Sequence, residues 1–305
     1  MSKPPFLELP SSARAYRLPT ARGEFAVLDG GEARLGTALL VPGFTGSKED
    51  FIALLQPLAD AGYRAVAVDG RGQYETDGPR SEQAYAQTEL ARDVLALTDA
   101  LRQGRSGGDG GEGRRPRVHL LGHSLGGLIA RTSVLRDVGP FASLTLMSSG
   151  PAAVSSGQQH RLKLLLGALP VMTMEEVWQA MRELDPVEAA DEQTPAEVAE
   201  FLHRRWMAHV PEQLSATAQQ LIAEPDRVAE LAAAVSGTDS GRVPLPVHVL
   251  SGSVDYAWPV PLLDEMAVRL GAARTVVAGA GHSPNAEDPQ ETARALTEFW
   301  NAAPG

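Results

Sequence analysis

The sequence predicts an α/β fold: a mostly parallel central sheet with helices on both faces, interrupted by an inserted block of helices. Three observations lead there. Short apolar runs alternate with segments of helical spacing through the first 150 residues, and such alternation argues for layered α/β architecture. The runs are apolar along their length, which suits strands covered on both faces. Strand signals then vanish over residues 151–244 and resume at 247.

Taken in order, residues 25–28 and 37–41 read as strands. Residues 51–58 carry helical spacing, with Phe51, Leu54, Leu55 and Leu58 on one face. Residues 64–68 are a short β-branched run bounded by Gly62 and by Asp69-Gly70. Residues 90–101 turn helical again, with Leu90, Val94, Leu97 and Leu101 aligned. The stretch 103–117, QGRSGGDGGEGRRPR, has almost nothing to bury and reads as a flexible surface loop. A strand (118–121), a helix (125–135) and a strand (144–147) follow.

Within 151–244 the spacing is helical. Met174, Val177, Trp178, Met181 and Leu184 share one face. Thr194-Pro-Ala-Glu197 is a capping-box sequence with proline at the first helical position. Val198, Phe201, Leu202 and Trp206 continue from it, and Leu214, Ala218, Leu221 and Ile222 form a further face. Strands are expected at 247–250 and 275–277, with a closing helix over 289–300. The organisation expected is therefore a core of residues 1–150 and 245–305, with residues 151–244 as a helical cap inserted between its strands.

Composition narrows the function. The 305 residues can bury a substantial core. Basic residues number 27 against 38 acidic, a net charge of −11, which argues against a general nucleic-acid surface. With no cysteine, disulfides, thiolate metal sites and cysteine nucleophiles are excluded, so a nucleophile must be oxygen or nitrogen. The first residues, MSKPPFLELPSS, do not read as a signal peptide, and no apolar run approaches the ~18 residues of a membrane span. A cytoplasmic protein is the expectation.

The strongest motif is Gly122-His123-Ser124-Leu125-Gly126, which matches G-x-S-x-G with a strand before it and a helix after it. The turn is tight enough to need small residues beside the serine. It presents Ser124 at the end of a strand and at a helix N-terminus, whose partial positive charge favours a developing anion. On these residues the chain resembles the α/β-hydrolase family, over roughly residues 20–150 and 245–302.

The resemblance implies a serine nucleophile, then an acid, then a histidine, in that chain order. Of seven histidines, His119 and His248 fall inside strands, His123 within the motif, and His160, His203 and His209 within the helical block. His282 alone follows a last strand, in Ala280-Gly-His-Ser-Pro284, which is similar to the family's histidine loop and makes it the expected base. Asp255, after the strand 247–250, is similarly placed as the acid, with a helix-capping aspartate the alternative. The other acid position of some relatives, after residue 147, holds Ser148-Ser149-Gly150.

Pro42-Gly43-Phe44-Thr45-Gly46 resembles the family's H-G-F-x-G loop and implies Phe44 N–H as one oxyanion donor, with Leu125 N–H as the other. Pro42 departs from the usual histidine of that loop. Gln73, in Asp69-Gly-Arg-Gly-Gln-Tyr74, departs from the common histidine of a second family segment, to which no chemistry is assigned.

The implied activity is acyl transfer through an acyl-enzyme, first of all hydrolysis of a small to medium apolar ester. Trp178, Trp206, Tyr256 and Trp258 are candidate substrate contacts beside Phe44, with core packing the alternative for the two tryptophans of the helical block. Amidases, thioesterases, C–C bond hydrolases and perhydrolases use the same residues. Epoxide hydrolases and haloalkane dehalogenases fit less well, because they usually have aspartate where Ser124 stands. A ligand-binding protein that has kept the fold, or an interaction protein working through the Gly/Arg loop or the cap, are readings of other classes. The expected partner is a small-molecule substrate. No metal, organic cofactor, nucleic acid, membrane span or obligate protein partner is called for.

Overall fold

A computed structural model describes residues 2–103, 117–183, 194–238 and 241–303. The predicted loop 103–117 lies almost wholly outside these residues, as does Leu184. Among the described residues eight strands form one sheet in the order β1-β2-β4-β3-β5-β6-β7-β8. They are β1 (Ala13–Thr20), β2 (Gly23–Gly30), β3 (Gly36–Val41), β4 (Tyr63–Val68), β5 (Val118–His123), β6 (Phe141–Met147), β7 (Val247–Gly252) and β8 (Ala273–Val277). The β1/β2 and β2/β4 pairs are antiparallel, and every pairing from β4 to β8 is parallel.

The predicted α/β class holds. The all-apolar strands are apolar because each face meets its own core. In β3, Leu39 and Val41 join one buried cluster while Ala38 and Leu40 join the other. In β4 the split is Val66 and Val68 against Ala65 and Ala67. This is the period-two alternation of a strand with two apolar faces. Helices α2 (Gln87–Gln103) and α3 (Leu125–Arg136) cover the first face, and α1 (Ile52–Asp60) the second.

The chain reverses its direction of travel across the sheet at β3. It runs from β3 through α1 to β4 on one side, then back through α2 to β5 on the other. The carboxyl ends of the adjacent strands β3 and β5 thus open a crevice between oppositely directed loops, the position where ligands bind in open α/β sheets.

Among the described residues, five helices occupy the chain between β6 and β7: α4 (Ser156–Ala168), α5 (Met174–Glu183), α6 (Ala196–Ala208), α7 (Pro211–Ala223) and α8 (Val228–Ser236). Val177, Trp178, Val198, Phe201, Leu202 and Trp206 form an apolar cluster separate from the two sheet cores. Helix α6 starts at Ala196, with Pro195 at the N-cap and no side-chain cap bond, so the capping box expected at Thr194–Glu197 does not form. Proline at the N-cap puts Thr194 one position outside the helix, where its hydroxyl misses the first turn. After β7 come α9 (Val260–Leu270), α10 (Pro284–Glu287) and α11 (Pro289–Ala302).

Two elements lie outside those expected from the sequence. Strand β1 is an edge strand whose residues are exposed or only half-buried, so it lacks an apolar run. Helix α9 does carry helical spacing, with Leu263, Met266, Ala267 and Leu270 buried at i, i+3, i+4 and i+7 and Gly271 closing it, a signal that sequence reasoning missed.

Candidate active site

Ser124 occupies the tight turn between β5 and α3, with φ +54° and ψ −120°. Few L-residues adopt such a backbone, and holding it costs about 1–3 kcal/mol. The surroundings fix it: Ser124 N–H donates to the Met147 carbonyl at 2.9 Å, and Gly127 N–H donates to the Ser124 carbonyl at 2.9 Å. The flanking glycines are required by close approach. A Cβ on Gly122 would fall 2.2 Å from the Gly126 carbonyl oxygen, and one on Gly126 would fall 2.3 Å from that of Val41. The turn is pressed against the end of β3.

The structure brings the three side chains expected from sequence into one hydrogen-bonded line. His282 Nε2 lies 3.1 Å from Ser124 Oγ. On the far side of the ring, Nδ1 lies 2.9 Å from Asp255 Oδ2 and 3.0 Å from Oδ1. Asp255 Oδ1 also accepts from Ala257 N–H at 2.8 Å and Trp258 N–H at 3.0 Å. One carboxylate therefore holds the histidine and shapes the turn that leads into α9, but it does not cap that helix, whose N-cap is Pro259. Its side chain is fully buried, and an acceptor at Nδ1 keeps that nitrogen protonated and leaves Nε2 free to accept.

Two residues beyond that line hold the histidine loop. His123 Nε2 lies 2.8 Å from the His282 carbonyl oxygen, tying the serine turn to the histidine loop. Burial, reinforced by the neighbouring His282 ring, pushes His123 down to about 3. It stays neutral and donates from Nε2. Glu287 accepts from Gly281 N–H at 2.5 Å and Ser283 N–H at 3.0 Å, gripping the loop on both sides of His282.

The segment after β3 runs past the serine. A Cβ on Gly43 would lie 3.2 Å from Ser124 Cβ. Among the described residues, the N–H groups of Phe44 and Leu125 have no protein acceptor. Leu125 opens α3, where N–H groups lack intrahelical partners. Two unspent donors beside a serine oxygen can stabilise an anion formed there.

A profile of the Alpha/beta hydrolase family matches residues 38–295. The chain belongs to this family. A stretch of 173 residues, 52% of this chain, is 32% identical to a putative carbamate hydrolase of Variovorax paradoxus (strain S110), covering 60% of it. Another of 136 residues, 45% of this chain, is 27% identical to a putative 2-succinyl-6-hydroxy-2,4-cyclohexadiene-1-carboxylate synthase of Bacillus subtilis (strain 168), covering 44% of it. The matches thus span less than two thirds of either curated relative. A hydrolase from Pseudomonas aeruginosa superimposes with a TM-score of 0.71 at 24% identity, covering 95% of this chain and 99% of that one. At that identity the likeness is one of fold.

In this α/β-hydrolase the serine opens into a cavity of about 170 Å³. Its floor is Gly43, Phe44, Ser124 and His282, and its walls include Leu162, Leu165, Trp178, Trp206, Leu221 and Tyr256. Trp178 and Trp206 pack their rings at 6.0 Å, Trp206 Nε1 donates to the Met174 carbonyl at 2.8 Å, and both line the cavity. Tyr256 is half exposed, with its ring 4.7 Å from that of His282. Trp258 is not among the lining residues. It is fully buried, its Nε1 donates to the Ala152 carbonyl at 2.8 Å, and its ring fills the space a Cβ on Gly150 would take. Its indole is used up in packing behind His282.

Among the described residues, no group of three or more His, Asp or Glu side chains is placed to hold a metal ion, and no helix is long and apolar enough to cross a membrane. Sequence reasoning missed His123, Glu287 and Gln73. Gln73 is buried beneath Gly43 and Phe44. Its one signal was the departure from the family's usual residue.

Proposed function

We propose that this protein is a serine hydrolase acting on a carboxylic ester with a small to medium apolar group. The observation that carries the reading is the line Asp255–His282–Ser124, hydrogen-bonded at the floor of a mostly apolar cavity, bordered also by Gln158, Arg161 and Arg182, beside two unspent backbone donors. Ser124 Oγ attacks the ester carbonyl carbon while His282 Nε2 takes its proton. Asp255 holds the imidazole and stabilises the imidazolium. Phe44 N–H and Leu125 N–H receive the oxyanion. The carbon–oxygen bond to the leaving group breaks, and the alcohol departs with the proton from Nε2. Water then attacks the acyl-enzyme, giving its proton to Nε2. The bond to Ser124 breaks, Oγ recovers the proton, and the acid leaves.

Residues 151–244 serve in this reading as a cap over the core of residues 1–150 and 245–305. Its support is the separate apolar cluster centred on α5 and α6 and the side chains of α4–α7 that reach the cavity, whereas Val228, Leu231 and Val235 of α8 pack into the first sheet core. A second reading, cleavage of a carbamate, is supported by the match to a putative carbamate hydrolase.

The test is hydrolysis of p-nitrophenyl esters of increasing acyl length, beside p-nitrophenyl carbamates, by the wild type and by Ser124→Ala. Ester turnover that collapses by about 10⁴-fold or more in the variant is expected. Preferred turnover of carbamates would move the assignment to the second reading. Failure of the wild type to react with a fluorophosphonate at Ser124 would refute both.

A further inference from the structure

The proposed oxyanion donor Phe44 N–H belongs to the peptide unit whose carbonyl is that of Gly43. That carbonyl oxygen accepts a hydrogen bond from Gln73 Nε2 at 2.8 Å. The same nitrogen donates to the next carbonyl, that of Phe44, at 3.2 Å. Gln73 Oε1 accepts from Gly70 N–H at 3.0 Å. The amide cannot be turned over. Gly70 N–H needs an acceptor on one side and two carbonyl oxygens need donors on the other, so oxygen and nitrogen are fixed by their partners. Gln73 is 6% exposed, sits in the turn after β4 and is not among the residues that line the cavity.

No peptide bond among the described residues is cis. In a planar trans peptide the C=O and N–H vectors point in opposite directions. A donor that holds the Gly43 oxygen from below therefore aims the Phe44 N–H away from itself, toward the side where Gly43 meets Ser124. Hydrogen bonding to the carbonyl also polarises the unit, making its N–H a stronger donor. Pro42 has no N–H to anchor the start of the loop, and the other bond to the Gly43 oxygen, from Gly46 N–H, is longer at 3.2 Å and internal to the loop.

We propose that Gln73 is a positioning residue for catalysis, fixing and polarising the Gly43–Phe44 peptide so that its N–H is preorganised for the transition-state oxyanion. The inference rests on the reading of Phe44 N–H as an oxyanion donor. It goes beyond that reading in placing the control of the donor on a side chain from a different loop. Preorganisation of this kind acts on the transition state and leaves ground-state binding alone. Its loss should therefore appear in kcat.

The experiment uses the full chain with Gln73→Met, which keeps the side-chain length and removes the donor, and with Gln73→Glu, which keeps the acceptor for Gly70 N–H. A third variant carries phenyllactate at position 44, replacing the Phe44 N–H by an ester oxygen. Steady-state hydrolysis of p-nitrophenyl butyrate and inhibition by an alkylboronic acid, which forms a tetrahedral adduct on serine, are read beside the melting temperature. The position-44 ester should lower kcat roughly 10²–10³-fold. The Gln73 variants should lower kcat roughly ten- to a hundredfold with KM within about twofold of wild type, and weaken the boronic acid in step. Combining Gln73→Met with the position-44 ester should add little to the ester alone, because both act on one donor.

Wild-type kcat in the position-44 ester would overturn the Phe44 reading and this inference with it. A large loss in the ester with Gln73 variants within twofold of wild type would overturn the inference alone. So would losses that multiply in the combined variant, or a rise in KM that accounts for the whole effect. If Gln73→Met does not fold, Gln73→Glu carries the comparison.

Discussion

Replacing Asp255 by asparagine changes one atom and should cost nearly all of the activity, for a reason the geometry makes specific. Oδ1 accepts from two backbone amides, Ala257 N–H at 2.8 Å and Trp258 N–H at 3.0 Å. An NH₂ group cannot face two N–H donors, so the carbonyl oxygen of an asparagine must take that place. Its Nδ2 then stands where Oδ2 was, 2.9 Å from His282 Nδ1. Oδ1, already shared by two backbone amides, is left as the acceptor for Nδ1 at 3.0 Å, while at the nearer contact two donors confront each other unless Nδ1 gives up its proton. The ring answers by carrying its proton on Nε2, 3.1 Å from Ser124 Oγ, where it can no longer accept one from the serine. The tautomer error and the lost support for the imidazolium together correspond to about 10⁴-fold in kcat, or about 5 kcal/mol of transition-state stabilisation. Both backbone bonds to the turn are retained, so the variant should fold. The assay is kcat for p-nitrophenyl butyrate together with the rate of fluorophosphonate labelling of Ser124, which does not depend on knowing the substrate. A folded Asp255→Asn enzyme within tenfold of wild type in both would refute the proposed division of labour between Asp255 and His282.

Two further outcomes concern the frame that holds the site. Arg205, from α6, pairs with Asp50 at 2.6 Å, with both side chains fully buried. Arg205→Met leaves a buried carboxylate unpaired, and urea unfolding at neutral pH should show a loss of about 3–5 kcal/mol, with at least half recovered when Asp50→Leu is added; a single variant as stable as wild type would rule out the pair as a fastener of α6 to the core. His248, inside β7, is pushed down to about 4 chiefly by burial, with the Arg274 charge adding to it. The unfolded chain takes up that proton near pH 6.5 and the folded one does not, so stability is fully present above pH 6.5 and falls as pH drops toward 4. Between those limits wild type should lose up to about 3 kcal/mol more than His248→Phe, and parallel stability–pH curves for the two proteins would contradict the buried neutral imidazole.

Much of the fold was legible in the residue order because burial on both faces writes itself into sequence. Strands β3 to β7 are apolar runs, since each alternate residue enters a different core. β1 was not legible: an edge strand exposed to water needs no apolar run, and its place comes from pairing with β2. The order of Ser124, Asp255 and His282 could be read because each sits on a loop whose local chemistry is distinctive. The two glycines beside Ser124 are demanded by contacts shorter than any Cβ permits. A strand, a small loop and an acid or base can be recognised one at a time.

The supports of the site could not be read that way, because each is a contact between loops far apart in the chain. His123 bonds to a carbonyl 159 positions on, and Gln73 reaches back 30 positions to Gly43. Trp258 and Tyr256 are two residues apart and looked alike in the sequence, yet one is sealed behind His282 and the other borders the cavity. The departures at Pro42 and Gln73 were both visible as letters, but nothing local says that Gln73 bonds to the loop that Pro42 opens. Sequence alone determined the strand pattern and the chemistry of the loops, because local spacing and residue type suffice for both. Only the tertiary structure decided which carbonyl each buried donor faces, since a hydrogen bond between two loops exists only once the sheet has set the distance between them.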